Sequence, residues 1–589
     1  MSKVEGGDDA QKDEGHLRGE VLLSGFIKKA LQAKVQGKTK DYDNLVQKLT
    51  TCRDEPSDMK KYLFGLKNCI SSLTKEYDTL VGAALALPWS DKDDGTVSEF
   101  VDFLTNLVSS QTYYLHACLK MLIKNFSPDE KKGQPLEEID LDVQQKRFQS
   151  THKALQAVVE IVPTAPAYLL PVIVQNYPYM KKSLAHHEYY VKNLLQLFIY
   201  APSLHQDILE VICSHFLKID VEIPKEELHD EGQGEATQFD VELEHDGDEQ
   251  EETTKTQDDD EESQPEKMNN EMAEKLDVLM NIMFKYIKNA CHVEEMYNLD
   301  VASDVFETFL EVFLKVIFPT HNSCHVQFLI FYICSFDELF VNKFLEVCWA
   351  KFQDPSTPLI LRQTAAAYIG SLVARANYIT RSVVQTCLEL LVSWIHGYID
   401  EFDSASGRAD ANKHGHFYSL CQAIFYIFVF CHSKLLENEE GINFVQRLNF
   451  ERIITCKLNP LKVCLSTVVK MFAVVTRMNE VVFCYTIIEK NNRSMLPVAS
   501  SSFNSSVAKL SLLNQLDSFF PFDPYMLKKS RKFIEDIYRE WEGLEPDTGH
   551  SEDEENEDYL DLGKTPESLP MASLNSFSEM SISPGFTKV

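Results

Sequence analysis

The feature that most constrains this chain is an acidic stretch near its middle, from Glu226 to Glu266. These 41 residues contain 19 Asp and Glu side chains, one basic residue, Lys255, and one aromatic residue, Phe239. A segment of this composition buries too little apolar surface to offset the conformational entropy lost on ordering. We therefore predict a disordered acidic loop over residues 226–268, with folded chain on both sides of it.

The composition on both sides of this stretch changes to Leu, Ile, Val, Phe and Tyr at helical spacing. These changes divide the chain into five predicted segments: a largely disordered N-terminus at 1–40, an N-terminal helical array at 41–225, the acidic loop at 226–268, a C-terminal helical array at 269–544, and a disordered acidic, Ser-rich tail at 545–589. Because the helical blocks resemble each other, we read them as one solenoid with the acidic loop inserted. Deletion of residues 228–266 should then leave folding intact.

Helical periodicity supports this reading. Apolar residues between 97 and 108 fall on one helix face: Val97, Phe100, Val101, Leu104, Leu107 and Val108. Thr96 and Glu99 form a capping-box pattern before that face. Successive helices separated by short Pro-bearing gaps, without a competing strand pattern, indicate an all-α, HEAT-repeat-like α-solenoid, a superhelix of paired helices. The absence of a clean repeat period leaves a large globular helical domain as the alternative.

The charge is unevenly distributed. The formal net charge is −33, of which the acidic stretch contributes −18 and the tail Glu545–Val589 contributes −9, leaving −6 for everything else. A body this close to neutral argues against binding nucleic acid through bulk charge, so we expect little or no direct DNA binding. The same balance is compatible with binding basic protein surfaces.

The cysteines indicate a reducing compartment. There are 14 of them, scattered and mostly within apolar runs, as Cys334 and Cys431 are. The first residues do not resemble a signal peptide, so we expect buried free thiols. The longest apolar run, Phe417–Cys431, is interrupted by Ser419 and Gln422 and is shorter than a bilayer span. We expect no transmembrane segment and no association with a membrane.

Signs of catalysis or cofactor binding are scarce. No phosphate-binding loop, dinucleotide fingerprint, HExxH, GxSxG or kinase signature is present. His321, Cys324 and His325 could offer metal ligands, but no second pair with zinc-like spacing accompanies them. Their alternative role is a polar helix start in which Ser323 caps the following helix. His186-His187 is more typical of a helix face than of a site. We therefore expect neither an enzyme nor a cofactor.

A basic cluster lies near the end of the predicted C-terminal array, at Lys528, Lys529, Arg531 and Lys532. Such a cluster is typical of a nuclear import signal or of a contact with an acidic partner. The alternative is the solvated face of a helix whose apolar side is Leu527, Ile534 and Ile537.

Several hydroxyl residues in polar segments are candidate phosphorylation sites. Two suit an acidophilic kinase because acidic residues follow them closely: Thr256 and Ser551. Three precede Pro and suit a proline-directed kinase: Ser127, Thr565 and Ser583. Each phosphate would add about −1.5 to −2 charge, which is enough to create or repel a contact with Arg.

Long and uncommon strings of the sequence resemble one protein family. They are Lys61–Thr74, Pro319–Phe328, Gln353–Pro358, Arg362–Ala376, Leu448–Ile453, Leu458–Lys462, Phe483–Glu489 and Phe519–Pro524. These strings resemble the RNA polymerase I-specific transcription initiation factor family, whose vertebrate members are called TIF-IA. The resemblance covers roughly residues 59–540, apart from the acidic stretch.

This resemblance implies a HEAT-repeat superhelix that binds RNA polymerase I near its stalk. The bound factor would link the enzyme to the TBP-associated subunits of the promoter-bound selectivity factor, so that transcription of rRNA genes can start in the nucleus, at the nucleolus. Protein kinases would switch this competence. A serine-bearing surface of the first block faces the polymerase in this family, and Ser109 and Ser110 are the best match to it here.

The resemblance leaves some properties open. Relatives touch DNA weakly through a region matching Arg375–Leu391, where this chain has only Arg375 and Arg381 as basic residues. The free factor could be a homodimer. From the fold alone, a HEAT-repeat nuclear-transport receptor or another solenoid scaffold is the competing function, and binding to the GTP-bound Ran GTPase would distinguish a transport receptor from an initiation factor.

Overall fold

The computed structural model describes residues 8–51, 56–128, 141–224, 267–293, 296–321, 323–403, 411–495 and 520–541. The regular structure of these residues is almost entirely helical. Their β structure is limited to a short hairpin, His292–Val293 with Met296–Tyr297, and an isolated bridge between Ala376 and Tyr538. The predicted acidic loop lies outside the described residues except for 267 and 268. The predicted tail at 545–589 lies wholly outside them.

The first array precedes the acidic stretch. Its described α-helices are α1 (Asp8–Val35), α2 (Lys40–Thr51), α3 (Pro56–Lys67), α4 (Asp78–Leu85), α5 (Asp94–Ser110), α6 (Leu115–Lys124), α7 (Leu141–Ile161), α8 (Ala165–Asn176), α9 (Leu184–Gln196) and α10 (His205–Glu222). Most pack against helices one or two positions away along the chain, as α3 does with α5 and α6 with α8. This is the packing expected of a solenoid.

The N-terminal region differs from the prediction of a largely disordered segment at 1–40. Residues 8–35 form α1, in which Ile27, Ala30 and Leu31 are buried. Helix α1 packs against α3, where a Cβ on Gly65 would lie only 2.7 Å from Ile27 Cδ1. The apolar positions of this short stretch fall at i, i+3 and i+4, so a helix can bury them together even though the surrounding sequence is polar.

The start of α5 also differs from its prediction. Asp93, rather than Thr96, is the N-cap residue, and its carboxylate accepts hydrogen bonds from Thr96 N (3.2 Å) and Thr96 Oγ1 (2.6 Å). Lys60 Nζ donates to the same carboxylate at 2.7 Å. The hydrogen bond from Lys60, followed by those from Thr96, lowers the pKa of Asp93 well below its ordinary value. The helix therefore begins one turn earlier than the capping-box pattern indicates.

The second array follows the acidic stretch. Its described α-helices are α11 (Glu271–Ala290), α12 (Leu299–Val312), α13 (Phe328–Cys334), α14 (Glu338–Gln353), α15 (Leu359–Arg375), α16 (Arg381–Asp403), α17 (Ala411–Leu436), α18 (Glu439–Arg447), α19 (Phe450–Thr455), α20 (Pro460–Val463), α21 (Ser466–Met478) and α22 (Tyr485–Met495). A π-helical turn, Phe313–Ile317, extends α12. The hairpin of His292–Val293 and Met296–Tyr297 separates α11 from α12.

Helix α17 is the centre of the second array. Residues 413–436 have the length and hydropathy of a membrane-spanning helix, but 72% of their most apolar window is buried inside the protein. The helix packs against α15, α16, α18 and α21. It approaches α15 so closely that a Cβ on Gly370 would lie 2.8 Å from Ala423 Cβ. Its apolar character is therefore that of a core helix with neighbours on several sides.

The two arrays are in contact through residues on either side of the acidic stretch. Helix α11 packs against α9 and α10, and the buried Lys275 Nζ donates to Met180 O at 2.6 Å. Lys315 on the π-helical turn forms an ion pair with Glu210 at 2.6 Å. The described residues form one compact unit. The interpretation of two arrays as one solenoid is consistent with these contacts, and the individual segment boundaries stay predictions.

A non-helical stretch, here called the crossing segment (residues 520–541), runs over the second array. The alternative of a helix through Leu527, Ile534 and Ile537 is wrong, because the helical structure of this stretch is limited to the short 3-10 helices Arg531–Phe533 and Glu535–Ile537. Some of its backbone N–H groups bond to carbonyls within the segment, as Ile534 N does to Arg531 O at 2.7 Å, and others bond to side chains of the array, as Phe522 N does to Ser371 Oγ at 2.9 Å. Leu527 and Ile534 are nevertheless buried.

Candidate interaction surfaces

The predicted polymerase-facing serines lie at the C-terminal end of α5. Ser109 and Ser110 are both exposed, while the apolar face of the same helix is buried. The helix ends at Gln111, whose N–H donates to Leu107 O at 2.8 Å. The two hydroxyl groups are therefore presented to solvent on a rigid helix that is anchored on its other face.

A second serine pair, which the sequence reasoning missed, lies beside the first. Ser71 and Ser72 are exposed on the 3-10 helix Ile70–Ser72, which packs against α5. Gln111 Nε2 makes a long hydrogen bond of 3.5 Å to Ser71 O. The Ser-Ser doublet was the available signal, but only the fold brings the two doublets together. We call Ser71, Ser72, Ser109 and Ser110 the serine surface.

The electrostatics of the serine surface favour hydroxyl groups over phosphates. The C-terminal end of a helix carries a partial negative charge from its unpaired carbonyls. A phosphate on Ser109 or Ser110 would add about −1.5 to −2 charge at that end, where it is repelled rather than stabilised. A phosphate at this end would therefore change the charge of a surface that otherwise presents neutral hydroxyl groups.

One of the candidate phosphorylation sites, Ser127, lies among the residues that the structure describes. Ser127 directly follows the turn after α6, is half-buried, and precedes the buried Pro128. Its modification would require this turn to open. The other candidates lie outside the described residues: Thr256, Ser551, Thr565 and Ser583.

The basic cluster lies on the crossing segment and is partly engaged within the fold. Lys529 forms an ion pair with Glu274, and the Lys529 N–H donates to Asp277 Oδ2 at 2.7 Å. Arg531 forms an ion pair with Glu540 at 3.0 Å. Lys532 is exposed and Lys528 is half-buried. An import receptor that reads an extended peptide would have to compete with these contacts.

The arginines of the candidate DNA-contacting region are engaged inside the protein. Arg375 is buried, donates from Nε to Tyr426 OH at 2.8 Å, and lies 4.3 Å from the Phe430 ring centroid. Arg381 donates to Leu435 O at 3.2 Å and to Asn438 Oδ1 at 2.8 Å. Both guanidinium groups therefore hold helices together, which leaves the region between them with little positive charge to offer a phosphate backbone.

Two of the candidate metal ligands, Cys324 and His325, instead bind a buried carboxylate. Asp220, near the end of α10, accepts hydrogen bonds from Ser323 Oγ (2.7 Å) and from three backbone N–H groups: Cys324 (2.9 Å), His325 (2.9 Å) and Val326 (3.2 Å). Its other oxygen is 2.8 Å from His325 Nδ1. These bonds satisfy the orphan N–H groups before α13, so the His and Cys residues form a helix start rather than a ligand set. Among the described residues no cluster could hold a metal ion.

Burial of Asp220 would raise the pKa of its carboxyl group, but the charge and hydrogen bond of His325, with those of Ser323, outweigh burial and lower that pKa. The neighbouring Gln327 has its Oε1 2.7 Å from Ser323 Oγ and donates from Nε2 to Pro521 O at 2.6 Å. Asp220 therefore connects the first array, the start of α13 and the crossing segment. Nothing in the sequence signals this role, because Asp220 lies between Lys218 and Glu222 in a helix end of mixed polarity.

The histidine pair on α9 is structural. His186 Nδ1 is 2.8 Å from Ser183 Oγ, and His187 Nε2 is 3.2 Å from Tyr179 O. Burial, followed by the nearby Lys275 charge, lowers the pKa of His187 to about 4. The pair orders the turn before α9 and faces the packing interior of the array.

Comparison with known proteins gives consistent matches. Residues 19–546 match the family model described as RNA polymerase I specific transcription initiation factor RRN3. The chain is 38% identical to the RNA polymerase I-specific transcription initiation factor RRN3 of Mus musculus, over 89% of this chain and 81% of that protein. It is 28% identical to the factor of the same description from Schizosaccharomyces pombe, over 94% of this chain and 93% of that protein.

The fold is similar to that in a crystal structure of RNA polymerase I transcription initiation factor Rrn3. The TM-score is 0.67 at 21% sequence identity, and the similarity covers 89% of this chain and 99% of that chain. This agreement confirms the predicted all-α solenoid fold.

Proposed function

The chain belongs to the RRN3 family of RNA polymerase I-specific transcription initiation factors, and from this premise we propose that it binds RNA polymerase I and makes it competent to start rRNA synthesis. The observation that carries the proposal is the extent of the family match, which runs through both helical arrays. Its relatives are transcription factors by name and not enzymes. The function is therefore one of binding, and no catalytic residue is assigned.

The serine surface is the proposed contact with the polymerase, near the stalk of the enzyme. Ser109 and Ser110 are exposed at the end of a helix whose opposite face is buried, so a partner meets a preformed surface with little ordering cost. Ser71 and Ser72 extend that surface with further hydroxyl groups and backbone carbonyls.

The second proposed contact is with the TBP-associated subunits of the promoter-bound selectivity factor. An α-solenoid offers a long surface that can engage two large partners at once. If the first array holds the polymerase, the second array is free for the promoter-bound factor. The protein then acts as a bridge, and it needs little or no direct DNA contact.

Phosphorylation by protein kinases is the proposed regulator. A phosphate at Ser109 or Ser110 is repelled by the partial negative charge of the helix end, and it changes the charge of the surface that the polymerase meets. The other candidate phosphorylation sites, which are followed in the sequence by acidic residues or by Pro, lie outside the serine surface and stay predictions. The proposed location is the nucleus and its nucleolus, where rRNA genes are transcribed.

The test is retention of RNA polymerase I from nuclear extract by immobilised variants. The double variant Ser109→Asp/Ser110→Asp should retain about tenfold less polymerase than the unmodified chain, equivalent to ~1.4 kcal/mol of binding free energy. Ser109→Ala/Ser110→Ala should retain polymerase within about twofold of the unmodified chain, because alanine adds no charge.

The control is Ser393→Asp, which places one such charge on an exposed serine of α16 and should leave retention within about twofold. Circular dichroism should remain helical for every variant. Undiminished retention by the double aspartate variant would show that the polymerase contact lies elsewhere.

A further inference from the structure

The last helices of the second array carry a local excess of positive charge. Residues 439–495, which include α18–α22, contain 8 Lys and Arg side chains and 5 Asp and Glu side chains, whereas the whole chain has a net charge of −33. These helices therefore form a local positive region on an acidic protein.

Four exposed cations of this region have no carboxylate partner among the described residues. Lys462, Lys470, Arg477 and Lys490 are exposed and make no ion pair with Asp or Glu among the described residues. Two arginines of the same region are paired, Arg452 with Asp400 and Arg493 with Glu489. Unpaired cations retain their full field toward an approaching anion.

The fold brings several of these cations to one end of the array. Lys470 and Arg477 are seven residues apart on α21 and therefore lie on one helix face. Arg477 lies over the Tyr485 ring, with 5.5 Å between the guanidinium carbon and the ring centroid. Reciprocal side-chain hydrogen bonds between Asn459 and Asn491, of 2.7 and 3.2 Å, join the start of α20 to α22.

Large apolar side chains are exposed among these cations. Met478 is 57% exposed, Phe483 is 66% exposed and Tyr485 is 40% exposed. Terminal repeats of solenoids normally present a polar outer face to water. Apolar groups gathered at such an end, next to unpaired cations, are typical of a surface that is covered by a partner.

We propose that this surface, formed by Lys462, Lys470, Arg477, Phe483 and Lys490, binds an acidic segment of a partner protein. The segment would be a run of Asp and Glu interrupted by Leu or Phe: the carboxylates meet the cations, and the apolar residue covers Phe483 and Met478. The alternative occupant is nucleic acid. It is disfavoured because a long polyanion would also meet the field of a chain whose net charge is −33.

The expected binding is fast, salt-sensitive and moderate in strength. Exposed ion pairs steer encounter and contribute little affinity each, so the apolar residue of the segment must supply part of the affinity. The two contributions can therefore be separated experimentally, by raising the salt concentration and by removing Phe483.

The experiment is fluorescence anisotropy with the full-length protein and a labelled synthetic peptide of about 16 residues, half of them Asp or Glu, with one Phe and one Leu. Binding should weaken about tenfold when salt rises from about 50 mM to about 300 mM. Lys470→Glu/Arg477→Glu should weaken it at least about tenfold, and Phe483→Ser should weaken it about threefold without changing the salt dependence.

The matched control is Lys120→Glu/Lys153→Glu, which makes the same charge change on exposed lysines of the first array and should leave binding within about twofold. Equal losses in the two double variants would overturn the proposal, since they would reflect overall charge alone. It would also be overturned by absence of binding at low salt, or by tighter binding of a single-stranded or duplex DNA probe at the same residues. None of these variants alters the serine surface, so polymerase retention is measured independently.

Discussion

The two arrays are built from similar helices but are held together differently. In the first array, helices pack mainly on near neighbours in the chain, and exposed Lys–carboxylate pairs such as Lys67–Glu99 join adjacent helices. In the second array, the crossing segment makes hydrogen bonds to residues more than 150 positions away, as Phe522 does to Ser371. The first array therefore depends on local pattern, and the second depends on a distant segment.

Buried polar groups also distinguish the two regions. In the first array His152 accepts a hydrogen bond from Tyr200 OH and donates one to Asn193 Oδ1. Buried carboxylates fasten the second array: its own Asp277 binds the backbone of the crossing segment, and Asp220 of the first array reaches from α10 to the start of α13. The difference indicates that the arrays should respond differently to mutation and to pH.

The largest expected effect is at Asp220. Replacing it with alanine leaves three buried N–H groups and His325 without their acceptor, which should cost about 3–5 kcal/mol of unfolding free energy. Asp304→Ala, which alters an exposed carboxylate of α12, should change stability by less than about 0.5 kcal/mol. Urea unfolding measures both. A cost near that of the control would mean that the arrays are not fastened through this residue.

The second-largest expected effect is a loss of stability that is confined to the second array. Arg539 donates to Ala374 O (2.7 Å) and Ala376 O (3.3 Å), which are carbonyls at the end of α15. Arg539→Ala should cost about 1–3 kcal/mol and raise hydrogen exchange in α15 and α17, with little change in the first array. Arg531→Ala, which removes only an exposed ion pair, should cost less than about 0.5 kcal/mol. Equal exchange increases in both arrays would refute the division.

The first array should be the more acid-sensitive region. Burial lowers the pKa of His152 to about 4, below its ordinary value of 6.5, although the hydrogen bond to Asn193 opposes this. Between these two pH values the unfolded chain binds the proton more tightly, so stability falls as pH is lowered. From pH 7 to pH 5, His152 alone should account for a loss of about 1–2 kcal/mol.

The variant His152→Gln tests this dependence. It should be less stable at pH 7 but show a shallower loss toward pH 5 in urea unfolding. The exposed His116→Gln should keep the original slope. If His152→Gln also keeps it, the acid sensitivity arises from other groups.

The smallest expected effect compares two helix ends of the same geometry. Gly37 follows α1 with φ +84°, and Glu480 follows α21 with φ 53°; in each case the next residue donates back to the helix, Lys38 N to Ala33 O and Val481 N to Thr476 O. Glycine adopts this left-handed conformation without strain and glutamate does not. Glu480→Gly should therefore stabilise the protein by about 0.5 kcal/mol, and Gly37→Ala should destabilise it by about 1 kcal/mol. Shifts of the same sign in thermal unfolding would contradict this reading.

The sequence was most informative where structure is local. Periodicity placed α5 close to its observed position, and the apolar run Phe417–Cys431, which is shorter than a bilayer span, lies in the buried helix α17. It failed for the crossing segment, because the helical spacing of Leu527 and Ile534 is also satisfied by an irregular chain that buries both residues. The sequence prediction also failed for α1, because only a few apolar residues of that helix are buried against the rest of the array.

The interaction surfaces were predictable only in part. Ser109 and Ser110 were selected through resemblance to a family, and the fold adds Ser71 and Ser72, which are distant in sequence. The histidines and cysteine at 321–325 appeared to be possible ligands because a sequence does not show that Asp220, about 100 positions earlier, binds that turn. In each case the missing information was a contact between residues far apart in the chain.

The central claim is that this protein is an initiation factor for RNA polymerase I. Affinity purification of the full-length chain from nuclear extract, followed by quantitative mass spectrometry, tests it most directly. We expect enrichment of RNA polymerase I subunits, and their loss with Ser109→Asp/Ser110→Asp. Absence of those subunits, with enrichment of the GTP-bound Ran GTPase instead, would contradict the account and favour a transport receptor built on the same solenoid.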